Sequence, residues 1–229
     1  MMIELIYKWY INTDRIMKSK VTKRQLERYP KYLIYLKQLN SEGIEKVSSR
    51  LIAEVFDCSE EQVRKDLQAI SEEKGTPRSG REVKKMIDTI EDFLDYKTEK
   101  DAIIVGVGRL GSALLYYGGF KNYGLNIVAG FDKNEEIVGT EINGKKIYHI
   151  KELKKVIKEL NVKIAILTSG KDSAQEVADE LVSAGIKAIW NFARRRLDVD
   201  ENVVVENVDL PASLSFLSYK MSQKENKKT

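Results

Sequence analysis

The sequence of 229 residues contains one cysteine, one histidine and three prolines, and it has no long apolar run. The single cysteine, Cys58, excludes an internal disulfide and is typical of a reducing compartment, so we expect a cytoplasmic protein. No apolar stretch approaches the roughly 20 residues of a membrane span, which predicts no membrane partner. With His149 as the only histidine, no metal cluster or histidine-based catalytic site stands out, and we expect His149 to be a helix cap or a packing residue.

The excess of positive over negative charge is also small. The 39 Lys and Arg residues exceed the 35 Asp and Glu residues by only four, which is too little to indicate a nucleic-acid partner by itself. A prediction of a nucleic-acid partner must therefore rest on where the cations lie in the sequence.

The clearest motif is an apolar strand that leads into the glycine turn Gly106-Val-Gly-Arg-Leu-Gly111. We expect the strand to start at Ala102 and a helix to span 109–122. Such glycines allow a tight turn, a close approach of the backbone to a pyrophosphate and close packing of the helix, whose N-terminus favours phosphate. The alternative is a glycine turn in a sheet without a ligand.

An acidic residue follows the turn at the spacing that such a site requires. Asp132 ends the next apolar run, Leu125 to Asp132. A carboxylate there accepts hydrogen bonds from the adenosine ribose and repels a 2′-phosphate, which favours NAD(H) over NADP(H). Lys133 beside it would screen part of that repulsion. The predicted cofactor-binding residues of the motif are Gly106, Val107, Gly108, Arg109, Leu110, Gly111, Asp132 and Lys133.

The N-terminal part has a helix-turn-helix pattern. Helices are predicted over 31–42, 50–56 and from Glu60, the second capped by Ser48 and Ser49 and the third by Ser59, with Gln62 as the partner in a capping box. The segment 75–80 breaks the helical period and is typical of a wing. An amphipathic helix over 83–96 then ends the domain.

After the glycine motif, helical and apolar segments alternate, which predicts an α/β fold with a doubly wound parallel sheet. Asn143-Gly144 indicates a small hairpin. Val203–Val205 is expected to add a last strand, and Pro211 to open a helix through about Met221. The expected domains are an N-terminal extension (1–22, with Met1 or Met17 as the start), a winged helix-turn-helix domain (23–97), a Rossmann domain (98–208), a C-terminal helix (209–222) and a disordered tail (223–229).

Over about residues 29 to 219 the chain resembles the bacterial Rex family of redox-sensing transcriptional repressors. The segments that carry the resemblance are Val47-Ser-Ser49, Gln62-Val-Arg-Lys-Asp-Leu67, the glycine motif, Ile166-Leu-Thr168, Ala174 to Asp179, Ala184 to Lys187, Asn191-Phe-Ala193 and Val205 to Leu210. The resemblance implies a winged helix on operator DNA, an NAD-binding Rossmann domain and a homodimer joined by a domain-swapped C-terminal helix. It also implies that NADH closes the dimer and releases DNA, whereas NAD⁺ leaves DNA binding intact.

The resemblance and the placement of charge together predict DNA contacts. A duplex binder neutralises on the order of 6 to 10 phosphates, and acids such as Asp66 work against the cations. The predicted DNA-binding residues are Ser48, Ser49, Gln62, Arg64, Lys65, Lys74, Arg78 and Arg81. By the same resemblance, Thr168 and Ser169 are expected beside the nicotinamide.

Several positions depart from the family pattern. Residues 68–80 replace the usual aromatic, glycine-rich stretch and wing, which predicts a changed operator preference or weaker binding. Ile34 stands where the family has the arginine of an interdomain latch, whose other members match Tyr117 and Asp209. Asp209 is then exposed, protonated or paired with Tyr117 or Arg28, or it simply caps the last helix. The alternatives are therefore a Rex-like paralogue with altered NADH–DNA coupling, or an NAD-dependent oxidoreductase.

Overall fold

The computed structural model describes residues 21–71 and 80–226. The chain divides into two compact units between Lys97 and Thr98. Three segments lie outside the described part: residues up to 20, which include both candidate start methionines, residues 72–79, which include the expected wing apart from Gly80, and the last three residues of the expected tail.

In the residues that the structure describes, the first unit has five helices and a two-stranded sheet. These elements are α1 (Lys23–Leu26), α2 (Tyr29–Ser41), β1 (Lys46–Val47), α3 (Ser49–Val55), α4 (Glu60–Ile70), β2 (Arg81–Glu82) and α5 (Val83–Leu94). Strands β1 and β2 pair antiparallel, with Val47 opposite Arg81. The core is formed by the apolar faces of α2 to α5, including Tyr32, Leu36, Ile52, Val63 and Ile90. The helix-turn-helix prediction is confirmed, with α3 and α4 separated by residues 56–59.

The second unit is a parallel sheet with helices on both faces. Its elements are β3 (Lys100–Val105), α6 (Arg109–Tyr116), a 3-10 turn (Gly118–Tyr123), β4 (Leu125–Asp132), β5 (Glu141–Ile142), β6 (Lys145–His149), a 3-10 turn (Ile150–Glu152), α7 (Leu153–Leu160), β7 (Ile164–Leu167), α8 (Ala174–Ala184), β8 (Ala188–Asn191), β9 (Val204–Asn207) and α9 (Leu210–Asn226). The strand order is β5-β6-β4-β3-β7-β8-β9.

Successive side chains of the central strand β3 point to opposite faces of the sheet, which explains why helices cover both faces. Ile103 and Val105 pack with α7 and α8 on one face, and Ile104 packs with Leu115 of α6 on the other. Among the described strands of this seven-stranded sheet, β5 alone runs antiparallel to its neighbour. It turns into β6 through Asn143 and Gly144, whose φ angles of 50° and 71° are those of a type I′ turn, so the hairpin prediction is confirmed.

Two helix ends differ from the prediction. Helix α6 stops at Tyr116, because Tyr117 has extended backbone and the Gly118-Gly119 pair disfavours a helix, and a 3-10 turn takes over. Helix α9 continues to Asn226, so residues 223–226 are helical rather than part of a disordered tail. Within the described residues no helix is both long and apolar enough to span a membrane.

Candidate functional site

The glycine turn joins the carboxyl end of β3 to the N-terminus of α6. Gly106 has a φ of 98°, a value that L side chains rarely adopt, and a Cβ there would lie 2.7 Å from the backbone nitrogen of Ser169. A Cβ on Gly111 would collide with the carbonyl oxygen of Gly106. The first and third glycines are therefore required for packing of the turn itself.

The middle glycine has a different environment. A Cβ on Gly108 would meet no atom within 4 Å, so this position faces open space directly before the first residue of α6. A phosphate can approach the backbone here and meet the N–H groups of the first helical turn. The turn therefore fits the pyrophosphate of a dinucleotide on its open side.

Asp132, at the end of β4, lies next to this turn. Its Oδ2 accepts a hydrogen bond from the backbone nitrogen of Val107 at 2.6 Å, and its Oδ1 accepts one from Asn134 at 2.9 Å. Each carboxylate oxygen keeps a second acceptor position. The carboxylate is thus fixed against the glycine turn and can still accept from a ribose hydroxyl.

Neighbouring strands complete the site at the point where the strand order reverses. Strand β3 lies between β4 and β7, and ligands of such sheets bind in the crevice at the carboxyl ends of these strands. Thr168 follows β7 and donates from its hydroxyl to the Gly106 carbonyl at 2.6 Å. The hydroxyl of Ser169 is buried and has no hydrogen-bond partner among the described residues.

Three of the remaining residues of the predicted cofactor site are on the surface, and one is buried. Arg109, Leu110 and Lys133 are exposed around the turn, and Val107 is buried beneath it. His149 is a cap, as predicted: its Nδ1 accepts from the backbone nitrogen of Lys151 at 3.0 Å, and its Nε2 lies 3.4 Å from Glu135. The lone pair of Nδ1 is therefore used for the cap.

The second candidate surface is the exposed face of α4. Arg64 and Lys65 are exposed there. Each lies within an ion pair of the same helix, Lys65 with Glu61 at 2.7 Å and Arg64 with Glu60 at 3.8 Å. Exposed pairs of this kind are weak, so a phosphate can replace the carboxylates.

Other predicted DNA-binding residues are partly engaged in local structure. Ser48 caps α3 by accepting from the Leu51 nitrogen at 3.1 Å, and Ser49 is the half-buried first residue of that helix. Arg81 lies in β2. Lys74 and Arg78 lie outside the described residues.

The contacts of Gln62 and Asp66 differ from those predicted. Ser59 caps α4, but the Gln62 side chain donates to Asp66 Oδ1 at 2.8 Å instead of closing a capping box. Asp66 is fully buried and pairs with Arg28 at 2.6 Å. It therefore does not oppose the exposed cations of α4 as an unpaired surface acid, and that prediction is wrong.

Sequence reasoning missed this buried pair, although one signal was present. Asp66 falls three residues after Val63 and four before Ile70, on the apolar stripe of α4. A carboxylate on a core-facing stripe requires a cation or several donors. One donor is Gln62, one turn earlier on α4, and the others are Arg28 and Tyr32, more than thirty residues earlier in the chain.

The residues at the latch positions are all exposed. Ile34 is 55% exposed on α2, and Tyr117 is 58% exposed after α6. Asp209 is exposed and caps α9, because its Oδ1 accepts from the Ala212 nitrogen at 2.9 Å. Arg28, one of the donors considered for Asp209, is bound to Asp66 instead.

Two family models match the chain. The model described as "CoA binding domain" matches residues 97–194, and the model described as "Putative DNA-binding protein N-terminus" matches residues 20–68. They cover the glycine turn and the helix-turn-helix, respectively.

Similar proteins match almost the whole chain. A redox-sensing transcriptional repressor Rex of Porphyromonas gingivalis is 40% identical over 92% of this chain and 96% of its own length. The protein of the same name from Treponema denticola is 40% identical over 87% and 95%.

Solved structures agree with this. A crystal structure of RSP, a Rex-family repressor, has a TM-score of 0.83 at 33% identity and covers 92% of this chain and 98% of its own. A crystal structure of RSP with β-NAD⁺ and operator DNA has a TM-score of 0.84, also at 33% identity, and covers 92% and 97%.

Proposed function

The chain belongs to the Rex family of redox-sensing transcriptional repressors, and from this premise we propose that it binds operator DNA and is released from it by NADH. One combination of observations supports this function: a glycine turn with Asp132 fixed against it, in the same chain as a helix-turn-helix unit. RSP has been crystallised with β-NADH and with β-NAD⁺ plus operator DNA. The chain is a regulator and not an enzyme.

The cofactor is NAD(H), held at the crevice between β3 and β7. We assign the pyrophosphate to the open side of Gly108 and the N-terminus of α6, because a Cβ on Gly108 would meet nothing. Asp132 accepts from the adenosine ribose, and its negative charge disfavours a 2′-phosphate. Thr168 and Ser169, at the end of β7, lie on the nicotinamide side. The dinucleotide supplies the redox signal, and no hydride is transferred.

The DNA surface is the exposed face of α4, which we name the recognition helix. Arg64 and Lys65 contact the duplex after phosphate displaces Glu60 and Glu61, and Ser48, Ser49 and Arg81 lie on the neighbouring elements β1 to α3 and β2. Lys74 and Arg78, which lie outside the described residues, remain predicted DNA contacts. Contacts of this type give a salt-dependent affinity.

The functional form is a cytoplasmic homodimer joined by α9. This helix carries six large apolar side chains that are more than half exposed, which is unusual for a monomer. They are Leu210, Leu214, Phe216, Leu217, Tyr219 and Met221. The dimer content of the wild type and of Leu217→Glu, measured by sedimentation, tests the assignment. The control is Leu160→Glu, which replaces an exposed leucine of α7. Equal dimer content in all three contradicts it.

A titration of labelled duplex tests the proposed function as a whole. A duplex selected by the protein from a random library is bound and then titrated with NADH or with NAD⁺. We expect NADH to release the duplex and NAD⁺ to leave it bound. Consumption of NADH with an added substrate and no duplex selection would instead support the oxidoreductase alternative.

A further inference from the structure

The first unit contains a buried polar network that joins α2 to the middle of the recognition helix. Asp66 is 0% exposed. Arg28 donates to it twice, from Nε to Oδ2 at 2.6 Å and from Nη2 to Oδ1 at 2.8 Å. Tyr32 donates to Oδ2 at 2.9 Å, and Gln62 to Oδ1 at 2.8 Å. Both carboxylate oxygens thus accept two hydrogen bonds each.

A second contact reinforces the same connection. The Tyr29 hydroxyl donates to the backbone carbonyl of Asp66 at 2.8 Å. Arg28 is the N-cap of α2, and Tyr29 and Tyr32 lie in its first turn. One turn of α2 is therefore bonded to one residue of the recognition helix through both its side chain and its backbone.

Stability alone does not explain this arrangement. Replacing a buried ion pair by apolar residues is often neutral or stabilising, because the desolvation of two charges offsets their attraction. A two-point contact between a guanidinium and a carboxylate does, however, fix direction as well as distance. The network therefore restrains rotation of the recognition helix about its own axis.

The orientation of this helix decides where its exposed side chains point. At about 100° per residue, Arg64 and Gln68 lie roughly opposite Asp66 on α4. Both are exposed. A rotation that displaces Asp66 would thus move the two side chains across the face that meets DNA.

We infer that Arg28, acting through Asp66, is a positioning residue that sets the recognition helix for sequence-specific binding. The inference rests on the proposed function. Specific readout requires correct placement of a few side chains, whereas non-specific binding depends on charge. Loss of the network should therefore reduce discrimination between operator and random duplex, more than it reduces binding to random duplex.

The test compares Arg28→Lys with Lys37→Gln. Lys37 lies on the same helix and pairs with Glu91 at 2.7 Å, away from α4. Arg28→Lys keeps the charge and loses the two-point geometry. We expect its operator affinity to fall at least about tenfold, with less than a twofold change for random duplex and for NADH. Lys37→Gln should leave the operator-to-random ratio unchanged.

A second variant separates positioning from stability. In Arg28→Met/Tyr32→Phe/Asp66→Leu the ion pair and the Tyr32 hydroxyl are replaced by apolar groups. We expect a melting temperature near that of the wild type and a loss of operator preference of at least about tenfold.

Three results overturn the inference: an unchanged operator-to-random ratio in both network variants, an equal fall with Lys37→Gln, or a change in NADH affinity that matches the change for DNA. A wild-type chain that selects no duplex overturns the proposed function as well, so the two failures are distinguishable.

Discussion

The Asp132 carboxylate accepts a hydrogen bond of 2.6 Å from the backbone nitrogen of Val107. The acid at the end of β4 is thereby fixed against the glycine turn at the end of β3. The residue to which we assign the ribose and the backbone to which we assign the phosphates thus form one structural unit.

Asp132→Asn should weaken NADH binding by about tenfold or more, because hydrogen bonds to a charged group contribute about 1.5 to 3 kcal/mol. The preference for NADH over NADPH should fall at the same time, since the negative charge near the 2′-position is removed. Calorimetric titration with both nucleotides measures the two effects. Glu135→Gln, which removes a 79% exposed carboxylate near the site, is the control, and identical behaviour of the two variants would refute the assignment.

Gly108→Ala and Gly111→Ala should separate binding from folding. An added Cβ at Gly111 collides with the Gly106 carbonyl oxygen, so this variant should lose about 1 to 3 kcal/mol of stability. At Gly108 the same methyl group meets nothing in the protein but occupies the side that the pyrophosphate approaches. We therefore expect normal thermal unfolding and weak NADH binding for Gly108→Ala. Normal NADH affinity of this variant would place the phosphates elsewhere.

Glu61→Gln should strengthen DNA binding at low salt. The Lys65 ammonium donates a hydrogen bond to Glu61 and lowers the pKa of that carboxyl, so Glu61 is ionised at neutral pH. Removing the acid frees Lys65 and relieves repulsion of the phosphates. Anisotropy should show a gain of about two- to fivefold that fades as salt rises. Glu159→Gln, from the α7 pair with Lys155, is the matched control, and an equal effect there would contradict a role at the DNA surface.

Acid should destabilise the first unit through Asp66. Burial by itself would raise the pKa of this carboxyl, but hydrogen bonds from Arg28, Tyr32 and Gln62 lower it below its usual value. The ionised form therefore contributes stability that is fully present above the unfolded pKa of about 3.9 and is lost as pH falls through the lower folded pKa.

Asp66→Asn tests this dependence. At pH 7 it should cost about 3 to 5 kcal/mol, because Arg28 loses its buried partner. The difference in unfolding free energy between wild type and variant should shrink as pH falls from 5 towards 3. Denaturant titrations across that range measure it, and a constant difference would show that Asp66 is not ionised in the folded unit.

The parts of the fold that are encoded locally were predictable from the sequence. The strand, the glycine turn, Asp132 and the Asn143-Gly144 hairpin each depend on neighbouring residues, and the structure has all four. The cap of α4 by Ser59 is equally local.

Contacts between distant segments were not predictable in the same way. Two of the three side chains that donate to Asp66, Arg28 and Tyr32, lie more than thirty residues away in the sequence. The pairing of β1 with β2 likewise joins segments on either side of the helix-turn-helix. The early end of α6 and the extension of α9 to Asn226 depend on backbone geometry at helix ends, which sequence patterns locate only approximately.

We propose that NADH binding and DNA binding are coupled, and the affinity of NADH for free and for operator-bound protein tests this coupling. Linkage requires that operator DNA weaken the binding of NADH by the same factor by which NADH weakens the binding of operator DNA. We predict equal factors, each at least about fivefold. If NADH binds free and operator-bound protein with equal affinity, the chain does not couple its two ligands, and the Rex-like paralogue without coupling describes it instead.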